Sequence, residues 1–139
     1  MKVNIINSGY GNLGSVINML KKVGIDASIC DDYKELKNSS HIILPGVGSF
    51  DSGISGLKES GFYDAINNDI KKFQIPLLGI CLGMQMLFNG SEEGKSNGLS
   101  LIPDTLEKFN TGETKFNLKI PHMGWNYVRF ASSSRLGKG

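Results

Sequence analysis

The sequence predicts an α/β domain built on a largely parallel sheet with helices on both faces. Three observations carry this expectation. The candidate strands are continuous apolar runs rather than alternating ones, as befits strands buried on both sides. Helical segments separate them, the pattern of a sheet whose connections cross over its faces. Two glycine-rich turns close such strands, at the carboxyl ends where these sheets gather reactive groups. At 139 residues the chain suits a single domain, 1–139, large enough to bury a core.

A first strand runs over Lys2–Asn7, and Ser8-Gly9-Tyr10-Gly11-Asn12 turns the chain into a helix. In that helix Leu13, Val16, Ile17 and Leu20 recur at helical spacing, Asn12 is placed to cap it and Gly24 to end it. Ala27-Ser28-Ile29-Cys30 is a second strand, followed by a polar turn at Asp31-Asp32. The third strand, His41-Ile42-Ile43-Leu44, runs into Pro45-Gly46-Val47-Gly48. A second amphipathic helix sets Phe62, Ile66, Ile70 and Phe73 on one stripe. Pro76 introduces the fourth strand, Leu77-Leu78-Gly79-Ile80, which ends at Cys81. Past Gly98 the pattern weakens to short strands near Thr105–Phe109 and Trp125–Phe130, readable as an antiparallel extension.

Composition narrows the function classes. A formal net charge of +2, with no clustered basic stripe, gives no electrostatic footprint for nucleic acid. Nothing reads as a secretory leader or a membrane span, so a cytoplasmic protein is expected. Two cysteines and two histidines, without tight spacing, make neither a disulfide framework nor a zinc site. Gly9-Tyr10-Gly11-Asn12-Leu13-Gly14 misses the spacing of the dinucleotide fingerprint and no Walker pattern is present. No metal or cofactor is expected.

The reactive candidate is Cys81. Gly79-Ile80-Cys81-Leu82-Gly83 has the G-x-nucleophile-x-G form of an elbow between strand and helix, with cysteine in place of serine. The strained turn explains the glycines, since flanking side chains would collide there. A cysteine at a helix N-terminus is favoured as thiolate, and the N–H of Leu82 can face a developing oxyanion. Pro45-Gly46-Val47-Gly48 is the natural companion, able to turn further N–H groups inward. The bland alternatives are a buried structural cysteine and a tight strand-to-helix turn. Cys30, without flanking glycines, reads as structural.

The ordered set Gly9-Tyr10-Gly11-Asn12, Pro45–Gly48, Gly79–Gln85, Ser91-Glu92-Glu93-Gly94 and Pro121-His122-Met123-Gly124-Trp125-Asn126 resembles the class I glutamine amidotransferases. Within them the closest resemblance is to the glutaminase subunits of imidazole glycerol phosphate synthases. It runs across nearly the whole chain, and the Pro-His-Met-Gly-Trp-Asn run is its most specific part. The resemblance implies a flavodoxin-like fold and an ammonia-supplying role in histidine biosynthesis. It implies Cys81 as nucleophile toward L-glutamine, Val47, Gly48 and Leu82 as oxyanion hole, and Gln85 and Glu93 as glutamine-binding residues. It also implies a heterodimer with a (β/α)8-barrel cyclase, docked through Pro121, His122, Met123, Gly124, Trp125 and Asn126, with Tyr10 and Asn12 nearby. From composition alone, Glu92 and Glu93 read as a solvated loop and Trp125 as a buried residue on a strand edge.

One departure from the family pattern is expected to matter. Its members complete the site with a His-Pro-Glu-like run, and nothing of that kind follows Cys81 here. The domain is therefore expected to be incomplete at the C-terminus, with its last strands missing, and to hydrolyse glutamine poorly alone. Truncation, a split enzyme and a binding-only homologue are the competing explanations, and a paralogue serving surface-sugar amidation is the alternative in function.

Overall fold

The computed structural model describes residues 2–109, 124–131 and 137. The chain divides into two compact units, Met1–Lys108 and Phe109–Gly139. In the first, four strands form a parallel sheet in the order β2-β1-β3-β4: β1 Val3–Ile6, β2 Ala27–Cys30, β3 His41–Gly46 and β4 Leu77–Cys81. The four strands expected up to Cys81 are present, with β3 running two residues further than expected, through Pro45 and Gly46.

The chain goes from β1 to β2 on one side and then back across β1 to β3 on the other. Crossovers of one hand then place the connecting helices on opposite faces. Helix α1, Leu13–Lys22, packs Leu13, Val16, Ile17 and Leu20 against Val3, Ile5 and Ile43. On the other face Ile6, Ile42 and Leu44 join Phe50, Ile54 and Leu57 of α2, Phe50–Glu59, and Phe62 of α3, Phe62–Ala65. The Asn12 side chain caps α1 by accepting from the Ser15 N–H at 3.1 Å, as the sequence predicts.

Several elements differ from expectation, each for a local reason. The turn after Cys30 becomes a 3₁₀ helix, Tyr33–Asn38, because the Asp32 carboxylate caps it at the Lys34 N–H and Leu36 is fully buried. Helix α2 was not expected. The stripe from Phe62 bends at a π turn, Ile66–Ile70, before α4, Lys71–Phe73. A π turn widens the helix and shifts its phase, so Ile70 stays buried while Phe73 is half exposed.

Beyond Cys81 come the one-turn α5, Leu82–Gln85, and a separate two-stranded sheet, β5 Phe88–Ser91 with β6 Ile102–Leu106. β6 starts three residues before the strand expected near Thr105–Phe109, and it pairs in parallel with β5, which was not expected, with a register irregularity between Phe88 and Gly90. In the second unit, residues 125–130 form no strand.

Candidate active site

Cys81 is the last residue of β4 and the first turn of α5 starts immediately after it. Its backbone sits at φ 55° and ψ −120°, a region that residues with a Cβ rarely occupy. The elbow is therefore strained at the cysteine itself, and the side chain is exposed.

The flanking glycines are required by contact. A Cβ on Gly79 would come 2.5 Å from the Cα of Met84, so the first turn of α5 folds back directly over β4. A Cβ on Gly83 would overlap the carbonyl oxygen of Leu44 in β3. The elbow is thus pressed against the neighbouring strand. Its helix is a single turn; Met86 and Leu87, just beyond it, are buried in the core, whereas Met84 is half exposed.

The companion loop lies alongside. Gly46 is the register partner of Cys81, so the two chains leave the sheet side by side, about 4.8 Å apart. Val47 follows with its side chain largely exposed, and Gly48 has φ 120°, a conformation that suits glycine. Leu82 is buried, and as the first residue of α5 its N–H has no acceptor within the helix. Val47 and Gly48 thus follow directly on the register partner of Cys81, and Leu82 follows Cys81 itself.

Gln85 ends α5, one turn beyond Cys81, and is half-buried. The two neighbouring glutamates are distinguished by their hydrogen bonds. The Glu92 carboxylate accepts from the Lys108 N–H at 2.8 Å, and its own N–H donates to Leu106 at 2.9 Å, which ties it to β6. Glu93 stands at the tip of a turn closed by Gly94 N–H to the Ser91 carbonyl, with its own N–H on Ser91 Oγ. Its carboxylate is exposed and takes no partner among the described residues.

This turn is held from outside. The Asp51 carboxylate, in the first turn of α2, accepts from Lys95 N–H at 2.9 and 3.1 Å and from Ser96 N–H at 2.8 Å. The Ser96 amide and hydroxyl, with the Lys95 amide, hold the Asp51 carboxyl below the usual carboxylate range. Sequence reasoning missed Asp51. An acidic residue in a first helical turn signals only the helix dipole, and its partners are 44 and 45 residues away.

Cys30 is buried and donates its thiol to the Asp32 carbonyl, in keeping with a structural role. Burial, reinforced by the Glu35 carboxylate, pushes its pKa up. His41 starts β3 and is thus about 16 Å, five residues of strand, from the Cys81 end of the sheet. No group of three potential metal ligands occurs among the described residues, and no helix there is long and apolar enough to cross a membrane.

Residues 4–135 match the family described as Glutamine amidotransferase class-I. The chain belongs to the class-I glutamine amidotransferase family. Among curated class-I relatives, imidazole glycerol phosphate synthase subunit HisH 2 of Methanococcus maripaludis is 49% identical over 96% of this chain and 65% of its own length. Subunit HisH of Leptospira borgpetersenii is 42% identical over 98% and 67%. The chain thus spans about two thirds of the length of these relatives. A crystal structure of a glutamine amidotransferase superposes with a TM-score of 0.65 at 21% identity, over 79% of this chain and 58% of that one, a likeness of fold.

The class-I amidotransferase residues expected at a partner face fall in different places. Tyr10 is part-exposed and lies against Gly56, where a Cβ would meet its ring at 2.5 Å. With Asn7, Ser8 and Glu59 it lines an open cleft of about 590 Å³, and the buried Ser8 hydroxyl there has no partner among the described residues. Asn12 is engaged in capping α1. Trp125 and Tyr127 are fully exposed, so Trp125 is not the buried strand-edge residue of the bland alternative. Gly124 and Asn126 are described beside them, while Pro121, His122 and Met123 lie outside the described residues.

Proposed function

We propose that this chain is the glutamine-hydrolysing part of an imidazole glycerol phosphate synthase, supplying ammonia to a cyclase partner in histidine biosynthesis. The strained Cys81 elbow, in register with the Gly46 loop, is the observation that carries the reading. The likeness to subunits of that name supports the pathway.

In this reading the Cys81 sulfur attacks the side-chain amide carbon of glutamine, forming a C–S bond. The carbonyl oxygen becomes an oxyanion, met by the N–H groups of Leu82 and the Val47–Gly48 loop. Collapse breaks the C–N bond, the proton given up by the Cys81 thiol passes to the leaving nitrogen so that ammonia departs, and water hydrolyses the thioester to glutamate and the free thiol. Gln85 and Glu93 bind the amino-acid end, the Glu93 carboxylate pairing with the α-ammonium group. Glu92, bonded to the backbone of Lys108, is not available for this.

The general base is not among the described residues near Cys81, since His41 lies at the opposite end of the sheet. The partner is a (β/α)8-barrel cyclase. The residues that serve docking in this reading are Tyr10 and Asn12 in the first unit and, in the second, residues 121–126; the exposed Trp125 and Tyr127 suit an interface hot spot. Neither nucleic acid nor membrane enters this function, no metal or cofactor is used, the setting is the cytoplasm, and the whole chain acts as one amidotransferase domain.

The test is covalent labelling with a glutamine-mimicking diazoketone, followed by peptide mass analysis. Labelling at Cys81 that saturates with reagent and is blocked by glutamine is expected. Alkylation of Cys81 by iodoacetamide with no saturable, glutamine-protected labelling would overturn the reading.

A further inference from the structure

We infer that Asp51 is a positioning residue that sets the Glu93 turn for ligand binding. The inference rests on the proposed reading of Glu93 as a contact to the amino-acid end of glutamine. Asp51 lies three residues beyond Gly48, on the first turn of a helix whose N-cap is Ser49. Its carboxylate receives three hydrogen bonds from two successive amides of the 91–98 loop. Gly94, next to Glu93, fits so closely that a Cβ there would come 2.7 Å from Asp51 Oδ1 and 3.0 Å from Phe50 Cδ1.

The other ties of this loop fix its ends. Gly98 N–H donates to the Asn89 carbonyl, and Glu92 is bonded to β6 and the backbone after it. Between those ends, Lys95 and Ser96 are held by one carboxylate 44 residues earlier in the chain. Glu93 itself has only its backbone contact to Ser91. The position of the Glu93 carboxylate therefore depends on where Asp51 holds the two residues that follow Gly94. Since Asp51 lies only three residues after Gly48, one residue links the turn proposed for ligand binding to the loop proposed for the oxyanion. Charge-assisted bonds to backbone amides are stronger than neutral ones, which suits a clamp at an exposed site.

The experiment compares Asp51→Ala and Asp51→Asn in diazoketone labelling of Cys81, with iodoacetamide alkylation measuring the intrinsic thiol. Asp51→Ala is expected to raise the half-saturating concentration by about tenfold while leaving the limiting rate and the iodoacetamide rate unchanged. Asp51→Asn keeps an oxygen for the Oδ1 contacts and should recover part of that loss. Amide exchange over residues 94–97 should quicken in the alanine variant. In a Glu93→Ala background the effect of Asp51→Ala on half-saturation should disappear, because it acts through Glu93. An unchanged half-saturation beside faster exchange would overturn the inference and leave Asp51 a structural clamp. So would an equal effect in the Glu93→Ala background. Failure of the wild-type chain to label saturably would instead sink the glutamine reading, and the inference with it, and is told apart by that control.

Discussion

Replacing Gly83 with alanine tests the account of the elbow most directly. The added methyl would overlap the Leu44 carbonyl oxygen, which belongs to the backbone of a strand hydrogen-bonded on both sides. Neither group can rotate away, so relief requires β3 and β4 to separate or α5 to lift. Overpacking of a tight interior costs about 1–3 kcal/mol, and an unyielding backbone obstacle belongs at the top of that range, about 3 kcal/mol. With a urea slope of about 1.5 kcal/mol per M, the midpoint should fall by roughly 2 M. Far-UV circular dichroism is the suitable probe, since Trp125 is exposed and lies in the other unit. Gly14→Ala is the control. A Cβ there meets nothing closer than Asn12 Oδ1 at 3.9 Å, so helix α1 should gain about 0.5–1 kcal/mol. If Gly83→Ala unfolds at the wild-type midpoint, the argument that β3 dictates this glycine is wrong.

Cys81→Gly should relieve a backbone held at φ 55° and stabilise the fold by about 1 kcal/mol while abolishing diazoketone labelling; denaturant melts and mass analysis read the two effects. Cys30 should resist iodoacetamide in the native state at pH 8 and react only on unfolding, so intact mass should show one adduct without urea and two with it. Because its pKa is raised on folding, the stability it lends is complete below the unfolded thiol value and fades as pH rises beyond about 8.5, which urea midpoints measured up the alkaline range can follow. Asp51 has the opposite sign. Its carboxyl is lowered, so its hold on Lys95 and Ser96 persists above about pH 4 and is lost as pH falls below that, visible as faster amide exchange in the loop.

The parallel core was legible because its strands are mostly apolar, and Ile42–Leu44 is buried as that pattern requires, although Leu78 and Ile80 of the other long apolar run lie exposed on β4. The elbow was legible for a similar reason, as Gly79 and Gly83 have no purpose without a tight turn. Helix α2 was obscured by its own packing. Gly53 and Gly56 lower its propensity, yet they are small because Met86 and Leu82 press on one and Tyr10 on the other, contacts that no local pattern announces. Strand β5 contains Asn89-Gly90, which reads as a turn, and it is held as a strand by β6 eleven or more residues later. The distinction between Glu92 and Glu93 likewise depends on the backbone of Lys108, far along the chain. What escaped the sequence was decided by distant neighbours in each case.

The Gly83–Leu44 contact has one more consequence, for the pairing of the sheet. Slipping β4 by one residue against β3 would exchange the faces of its side chains, but β4 is apolar almost throughout, so hydrophobic patterning opposes that error only weakly. A slip of two residues restores the faces, and patterning cannot tell it from the native pairing. Such a slip would bring Cys81 or Gln85, both with a Cβ, to the place where only a bare Cα fits under the Leu44 carbonyl. The glycine that shapes the elbow thus also rejects the misalignments that the core would accept, and so keeps the cysteine opposite Gly46.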